Sequence, residues 1–164
     1  MKRLWVAAGA ALIVSSLFVQ SAPVQAGGRC YEYSELDKKL FKKTNKSRTN
    51  HGVGKLTLDP HLSKVARKHT KEMINQSSLE HTGNSVLGNR VTRWIVLGEN
   101  VGKGDSLREI QKAFMDSSGH KANILDSSYK FGGMSAKKHN GKVWSTVVFE
   151  ASNNPGTTLQ MPDC

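Results

Sequence analysis

The stretch that decides the fold class is FGGMSAKKHNGKVWSTVVFE, residues 131–150. Its second half is rich in Val, Trp, Thr and Phe, residue types that favour extended strands. The Asn140-Gly141 pair near its centre is a strong signal for a tight turn between antiparallel strands. The stretch therefore predicts a hairpin, with strands over residues 131–136 and 142–150 and a turn around His139-Asn140-Gly141.

Three amphipathic helices are predicted upstream of this hairpin. Ser34, Asp59 and Ser106 are suited to cap their first turns, and Pro60 fits the first helical position of the second. The first helix is expected over residues 34–48, and Ser118-Gly119 is expected to end the third. Helices followed by strands indicate an α+β fold. Apolar residues recur at helical spacing in each helix: Leu36 and Leu40; Leu62, Val65, Ala66, His69 and Met73; Leu107, Ile110 and Phe114.

The segments between these elements are less informative. Residues 56–58 form a short extended bridge, and residues 76–88 are polar and contain glycine, which predicts a loop. Residues 91–97 are apolar enough to be buried but too short for their periodicity to assign a structure. The last residues, from Asn153 to Asp163, are expected to form an irregular tail.

Residues 1–26 have the layout of an export signal. Lys2 and Arg3 precede an apolar run, no charged residue follows until Arg29, and Val24-Gln25-Ala26 supplies a small-residue cleavage site. We therefore predict a signal peptide over residues 1–26 and a single secreted domain over residues 27–164. An uncleaved anchor is the alternative, although the apolar run is shorter than the roughly 20 residues of a spanning helix.

The two cysteines, Cys30 and Cys164, lie near the predicted mature start and at the last residue. In an oxidising compartment, an even number without metal-type spacing predicts a disulfide. Closing nearly the whole chain into a loop would stabilise the fold by up to about 4–5 kcal/mol. Free or intermolecular thiols are the alternative.

The chain is basic, with a formal net charge of +11 to which Lys2 and Arg3 of the leader contribute. Five lysines recur along the first helix and form either a solvated face or a stripe for anionic wall polymers or lipid headgroups. Nucleic acid is not an expected partner, because no aromatic stacking residues are interleaved with the lysines and no binding motif is visible. The five are Lys38, Lys39, Lys42, Lys43 and Lys46.

Three polar segments hold the candidate functional residues: Glu80-His81-Thr82-Gly83, Gly98-Glu99-Asn100 and residues 117–125, which contain His120. Each is predicted to be a loop or a helix end. Two histidines and a carboxylate brought together could bind a divalent metal or form a general acid/base pair. Spacing alone does not show that they meet, and each could instead have a local role such as a helix cap.

Other catalytic signatures are weaker. His69 and Glu72 lie three residues apart on the second helix, but no HExxH pattern is present and His69 falls on the apolar stripe. We therefore interpret His69 as core-facing. The nucleophile-elbow, phosphate-loop and dinucleotide signatures are absent.

The order of several motifs is more specific than any one of them. They are Asn45-Lys46-Ser47-Arg48, Leu56-Thr57-Leu58-Asp59-Pro60, His81-Thr82-Gly83, Gly98-Glu99-Asn100-Val101, the run from Ser118 to Leu125, and Gly132-Gly133. In this order they resemble the CAP superfamily of cysteine-rich secretory proteins, antigen-5 allergens and plant pathogenesis-related proteins, in its compact bacterial form. The similarity covers most of the predicted mature chain.

The resemblance implies an α-β-α sandwich around a central antiparallel sheet. It also implies a cleft in which His81, Glu99 and His120 face zinc or another divalent ion. Larger members carry a further glutamate in the helix before the second histidine, and either Asp116 or Ser117 would take that place here. Phe114 stands where the family commonly has tryptophan.

Three functions follow as hypotheses. The first is a secreted, monomeric, non-enzymatic module whose cleft binds a divalent metal or a small ligand, with Glu99 orienting a water or a histidine. The second is a metal-dependent hydrolase with Glu99 as general base. The third is a basic adhesin, associated with the cell envelope, that binds anionic polymers or lipids through the lysines of the first helix.

Overall fold

The computed structural model describes residues 31–152 and 154–161. The predicted signal peptide and both cysteines, Cys30 and Cys164, lie outside this part of the chain. The helices are α1 (Glu35–Asn50), α2 (Pro60–Gln76), α3 (Asn84–Arg90), α4 (Leu107–Asp116) and α5 (Ser118–Leu125). The strands are β1 (Thr57–Leu58), β2 (Val91–Thr92), β3 (Leu97–Gly104), β4 (Phe131–His139), β5 (Lys142–Glu150) and β6 (Gly156–Thr157).

The predicted helix starts are confirmed. The side chains of Ser34, Asp59 and Ser106 accept hydrogen bonds from backbone N–H groups in the first turns of α1, α2 and α4. At α1 the Asp37 carboxylate also accepts from the Ser34 backbone N–H at 2.9 Å, which completes a capping box. Capping satisfies donors that a helix leaves free at its N-terminus, which is why these residue types were informative.

A four-stranded sheet with the order β1-β4-β5-β3 lies at the centre of the fold. The predicted hairpin is confirmed, since His139 pairs with Lys142 across a two-residue turn between β4 and β5. Asn140 and Gly141 have φ angles of 47° and 72° in that turn, a left-handed backbone that Asn and Gly tolerate best. The sheet is not purely antiparallel, because the short β1 runs parallel to β4.

Helices cover both faces of this sheet, as the expected α-β-α sandwich requires. On one face, Leu62 and Val65 of α2 pack near Val148 of β5. Gly133 of β4 lies so close to α2 that an added Cβ would sit 2.1 Å from the carbonyl carbon of Leu62. On the other face α1, α4 and α5 close a second core, which includes Leu40, Ile110, Phe114, Ile124, Val147 and Phe149.

The Asn45-x-x-Arg48 motif joins α1 to three other segments. The Asn45 amide donates to the Leu56 carbonyl at 3.1 Å and accepts from the Leu56 N–H at 2.8 Å. The buried Arg48 guanidinium donates to four backbone carbonyls: those of Gly54, Ile124, Asp126 and Tyr129. The motif therefore fixes the start of β1 and the end of α5 relative to α1.

Several segment predictions are wrong. Residues 76–88, predicted as a loop, contain most of α3, and the tail contains β6, which pairs with β2. Gly98-Glu99-Asn100 lies within strand β3 and not at a loop or helix end. Ser118-Gly119, expected to end the third helix, instead begins α5, since α4 already ends at Asp116 with Ser117 as its C-cap. The interpretation of His69 as core-facing is confirmed, since it is 5% exposed on α2.

Candidate functional site at the edge strand

Within the described part of the chain, strand β3 pairs with β5 alone, and it brings the three candidate segments together. Successive side chains on a strand point to opposite faces of the sheet. Glu99 therefore points toward the 80–83 segment that follows α2, while Asn100 points toward α5. The site is built around this edge, from both faces of the sheet.

Glu99 holds the first histidine. Its side chain is 5% exposed, and Oε1 lies 3.0 Å from His81 Nδ1 and accepts from the Thr82 backbone N–H at 2.8 Å. Oε2 accepts from the Thr82 hydroxyl at 2.7 Å. The His81 side chain is 55% exposed. With Nδ1 directed at the carboxylate, Nε2 is left as the nitrogen of His81 available to a ligand.

Asn100 places the second histidine. Its side-chain amide donates to the His120 carbonyl at 3.0 Å, and its oxygen accepts from the Asn123 amide at 2.9 Å. Asn123 also donates to the Glu99 carbonyl at 3.1 Å. These bonds tie α5 to β3, so that the position of His120 follows from the position of Glu99.

The two imidazole rings face each other across the edge of the strand. Their centroids are 6.0 Å apart and their planes are inclined by 30°. The ring of His120 also packs against Phe114, with 5.0 Å between centroids. Burial, and then the positive charge of a protonated His81, lowers the pKa of His120. His120 is therefore neutral near pH 7, the form that coordinates metals.

The expected fourth acid is not part of this site. Asp116 is exposed at the end of α4, where its carboxylate pairs with Lys112 at 2.5 Å. Ser117 is the N-cap residue of α5 and makes no side-chain cap bond. Of the two alternatives for the place of the family's second glutamate, Asp116 therefore does not supply a fourth acid to this site. Among the described residues, no group of three or more His, Cys, Asp or Glu side chains is arranged around one ion position.

The structure assigns positioning roles that sequence reasoning missed. Thr82, Asn100 and Asn123 all lie within the motifs, yet only their hydrogen bonds to Glu99 and the histidine segments show what they do. From the sequence, these residue types indicated only that their short amide and hydroxyl side chains could hydrogen-bond to nearby backbone, and not which groups they would bind.

A cavity of about 220 Å³ lies beside His81, between α2 and α3. Glu72 lines it, and its two carboxylate oxygens accept hydrogen bonds from the two terminal guanidinium nitrogens of Arg90, at 2.8 and 2.7 Å. Burial would raise the pKa of Glu72, but hydrogen bonds from Arg90 and Lys68 lower this pKa to about 2. His69 lies 3.4 Å from the same carboxylate. Because Glu72 is ionised and engaged in these pairs, the His69/Glu72 pair is not an available acid/base site.

The lysines of α1 are presented to solvent, with Lys43 half-buried. Lys39 and Lys43 border an apolar depression of about 290 Å³, with Leu36, Leu107 and Val143 on its floor. Arg108 and Lys138 complete a mainly cationic border around it, which also holds one acidic residue, Asp105, paired with Lys142. This region is separate from the histidine pair.

No helix in the described part of the chain is both long and apolar enough to cross a bilayer.

Among proteins of known sequence, the uncharacterised protein YkwD of Bacillus subtilis (strain 168) is 29% identical over 119 residues. The match covers 68% of this chain and 46% of YkwD, so the chain spans about half the length of that relative.

Solved structures share the fold. An outer surface protein of Borrelia burgdorferi superposes with a TM-score of 0.64 at 18% identity, over 74% of this chain and 97% of that one. An extracellular protein of Bacillus anthracis that contains an SCP domain superposes with a TM-score of 0.57 at 22% identity, over 70% of this chain and 40% of that one. The model of the CAP, or cysteine-rich secretory protein, family matches residues 41–149. The motifs, the sandwich and this match over most of the chain agree, and the chain belongs to the CAP family.

Proposed function

We propose that this CAP domain is an extracellular binding module that holds a divalent metal ion between His81 and His120. The observation that carries the proposal is the bond of 3.0 Å between Glu99 and Nδ1 of His81. A carboxylate on one ring nitrogen fixes the tautomer and raises the basicity of the other, which is the usual arrangement behind a metal-bound histidine. Glu99 is the positioning residue in this proposal, and the imidazoles are the ligands.

The donors present fit an open, exchangeable site better than a closed structural one. Two imidazoles would supply two of the four ligands that zinc prefers, and solvent or an anionic ligand would supply the rest. Ring centroids 6.0 Å apart lie within reach of one ion bonded to each ring at about 2.0–2.1 Å. A further solved structure of this fold, with a TM-score of 0.59 and 11% identity, contains Zn²⁺.

The geometry favours binding over hydrolysis. Both oxygens of Glu99 already accept hydrogen bonds, from His81 and from the backbone and hydroxyl of Thr82. A carboxylate engaged in this way is a poor general base for a metal-bound water, because taking the proton would disrupt the bonds that position His81. Asp116, the other candidate acid, points away toward Lys112.

The extracellular location rests on the predicted leader and on the relatives. Residues 1–26 have the features of an export signal, and a similar structure is that of an extracellular protein. The proposed disulfide between Cys30 and Cys164 would form in the same compartment.

Zinc titration by calorimetry at about pH 7.5 tests the proposal. The parent should bind one zinc per chain, and the His81→Ala/His120→Ala variant should show no binding at this site. His51→Ala/His139→Ala is the matched control, because it removes two imidazoles that are exposed elsewhere. Zinc binding that survives in the site variant, or that is lost equally in the control, would refute the metal site.

The cationic border around the apolar depression favours a second candidate function, the binding of a phosphate-rich envelope polymer. Lys39 and Lys43 of α1 face this depression together with Arg108 and Lys138. Binding of this kind weakens steeply with salt. A Lys39→Gln/Lys43→Gln variant should bind a polyphosphate probe more weakly than Lys71→Gln/Lys121→Gln, which removes the same charge from exposed lysines elsewhere.

A further inference from the structure

Residues 94–96 form an exposed apolar loop that the metal site does not use. Trp94, Ile95 and Val96 are 47%, 67% and 42% exposed. The other large apolar side chains exposed in the described part of the chain, Leu79 and Val86, are isolated in sequence. Single apolar residues are ordinary on a protein surface, whereas a contiguous apolar group marks a contact with another molecule.

The loop is held in one conformation by polar groups beneath it. The fully buried Glu150 carboxylate accepts from the Ile95 backbone N–H at 2.8 Å and from the Ser152 N–H at 2.6 Å. The Val96 carbonyl accepts from the Ala151 N–H at 3.3 Å. Burying a carboxylate is costly unless hydrogen bonds compensate, so this anchor is a specific feature of the fold. An apolar loop that is already ordered loses little conformational entropy when it binds.

The indole of Trp94 is also satisfied within the protein. Its N–H donates to the Gly88 carbonyl at 3.0 Å, and its ring lies over Gly88. The polar atom of this side chain therefore needs no water. The exposed ring can enter an apolar medium without leaving an unpaired donor, which removes the main cost of burying tryptophan.

A cation flanks the loop. Arg93 has a φ of 59°, and its guanidinium donates to the Asn154 and Pro155 carbonyls, at 2.8 and 3.3 Å. These partners are neutral, so the charge of Arg93 is not neutralised by them. The whole chain carries a formal net charge of +11, and only Lys2 and Arg3 of its basic residues lie in the predicted leader, so the secreted domain is basic as well. An apolar tip beside a cation on a basic protein matches the interface of an anionic bilayer, where apolar side chains meet the acyl chains and cations meet phosphates.

We propose that residues 93–96 dock this domain on the surface of an anionic phospholipid bilayer. Trp94, Ile95 and Val96 enter the boundary between headgroups and acyl chains, and Arg93 lies at the lipid phosphates. A second copy of the chain is the less suitable occupant, since three side chains supply far less than the roughly 800 Å² per partner that a stable dimer buries. The proposal is independent of metal binding by His81 and His120.

Vesicle sedimentation measures this docking. The protein is purified from a secreting host, and mass spectrometry gives its N-terminus, which all variants share. Vesicles of phosphatidylcholine alone are compared with vesicles that contain about 30% phosphatidylglycerol, a lipid that supplies negative surface charge. The Ile95→Ser/Val96→Ser variant should partition at least about 10-fold more weakly than the parent onto the anionic vesicles, since it removes two of the three apolar side chains of the loop. Leu79→Ser is the matched control and should bind as the parent does.

Fluorescence gives a second readout. Trp94 emission should shift to the blue with anionic vesicles and not in Trp94→Phe, because Trp5 lies in the predicted leader and Trp144 is already buried at 3% exposure. The proposal is overturned if the parent does not bind, if it binds neutral vesicles equally well, or if the serine variant binds as tightly as the parent. A loss of binding in Leu79→Ser equal to that in the serine variant also overturns it. So does light scattering that shows a dimer dependent on Ile95 and Val96.

Discussion

Replacing the buried Arg48 by methionine should destabilise the domain more than any change at its surface. Arg48 is 1% exposed, and its guanidinium donates to the carbonyls of Gly54, Ile124, Asp126 and Tyr129 over 2.6 to 3.2 Å. Methionine keeps the apolar stem but leaves these carbonyls without their donor. Burial lowers the pKa of Arg48, so the charge is itself opposed by its environment and the four bonds offset that penalty.

The expected cost of Arg48→Met is about 3–5 kcal/mol, because each buried carbonyl left without a donor costs about 1–3 kcal/mol and the loss of a buried charge offsets part of that sum. The free energy of unfolding of a domain of this size is about 5–15 kcal/mol, so the variant should still fold but should unfold at a much lower urea concentration. With a urea dependence of about 1–3 kcal/mol per molar, the midpoint should fall by roughly 2 M. Unfolding is followed by circular dichroism. The stability of the Arg48→Lys variant should lie between those of the parent and Arg48→Met, because a lysine ammonium keeps the charge but cannot reproduce the planar set of donors of a guanidinium.

Arg108→Met is the control, since Arg108 is exposed on α4. Its effect should stay within about 0.5 kcal/mol, as is usual for surface substitutions. A loss of less than about 1 kcal/mol for Arg48→Met would refute the reasoning, because it would mean that the four carbonyls find other donors at little cost. An equal loss in both variants would refute it as well.

Three further predictions concern the charged groups at and beside the site. The Glu99→Gln variant should keep its fold and bind zinc about 10–100-fold more weakly, as measured by calorimetry, because the histidine loses its carboxylate partner; unchanged affinity would contradict the positioning role. Zinc affinity should fall below about pH 6, since protons compete for the imidazoles; affinity that is constant from pH 7.5 to about 5 would exclude imidazole ligands. The pKa of Glu72 is lowered from 4.5 to about 2, so its ion pairs stabilise the fold above the unfolded-state value and this contribution disappears as the pH falls toward 2. Urea unfolding should show Glu72→Gln less stable than the parent by on the order of 2 kcal/mol near neutral pH, with the difference vanishing in acid; a difference that persists there would point to packing instead of charge.

Local signals in the sequence were enough to locate four elements of the fold. The starts of α1, α2 and α4 follow from Ser34, Asp59 and Ser106, because a cap is decided by residues within one turn of it. The β4–β5 hairpin follows from Asn140-Gly141, because a two-residue turn fixes the register of both strands. The family resemblance then named His81, Glu99 and His120, which spacing alone could not connect.

Only the tertiary structure decided how that site is assembled. Strand β3 was not recognised because it contains Gly98, Gly102 and Gly104, which weaken any strand signal. Glycine is needed in this strand because α4 packs directly on it: a Cβ at Gly102 would lie 2.7 Å from Ile110 Cγ2. Pairing of β3 with β5 then sets which face Glu99 occupies, and a shift of one residue would turn its carboxylate away from His81. Caps and tight turns depend on residues that are neighbours in the sequence, so they can be recognised from it directly. Contacts between distant segments depend on how the helices and strands pack, which the sequence does not show. Local patterns therefore predicted the fold in outline, whereas only the family resemblance implied that the two histidines meet, and only the tertiary structure showed that they do so at the edge of the sheet.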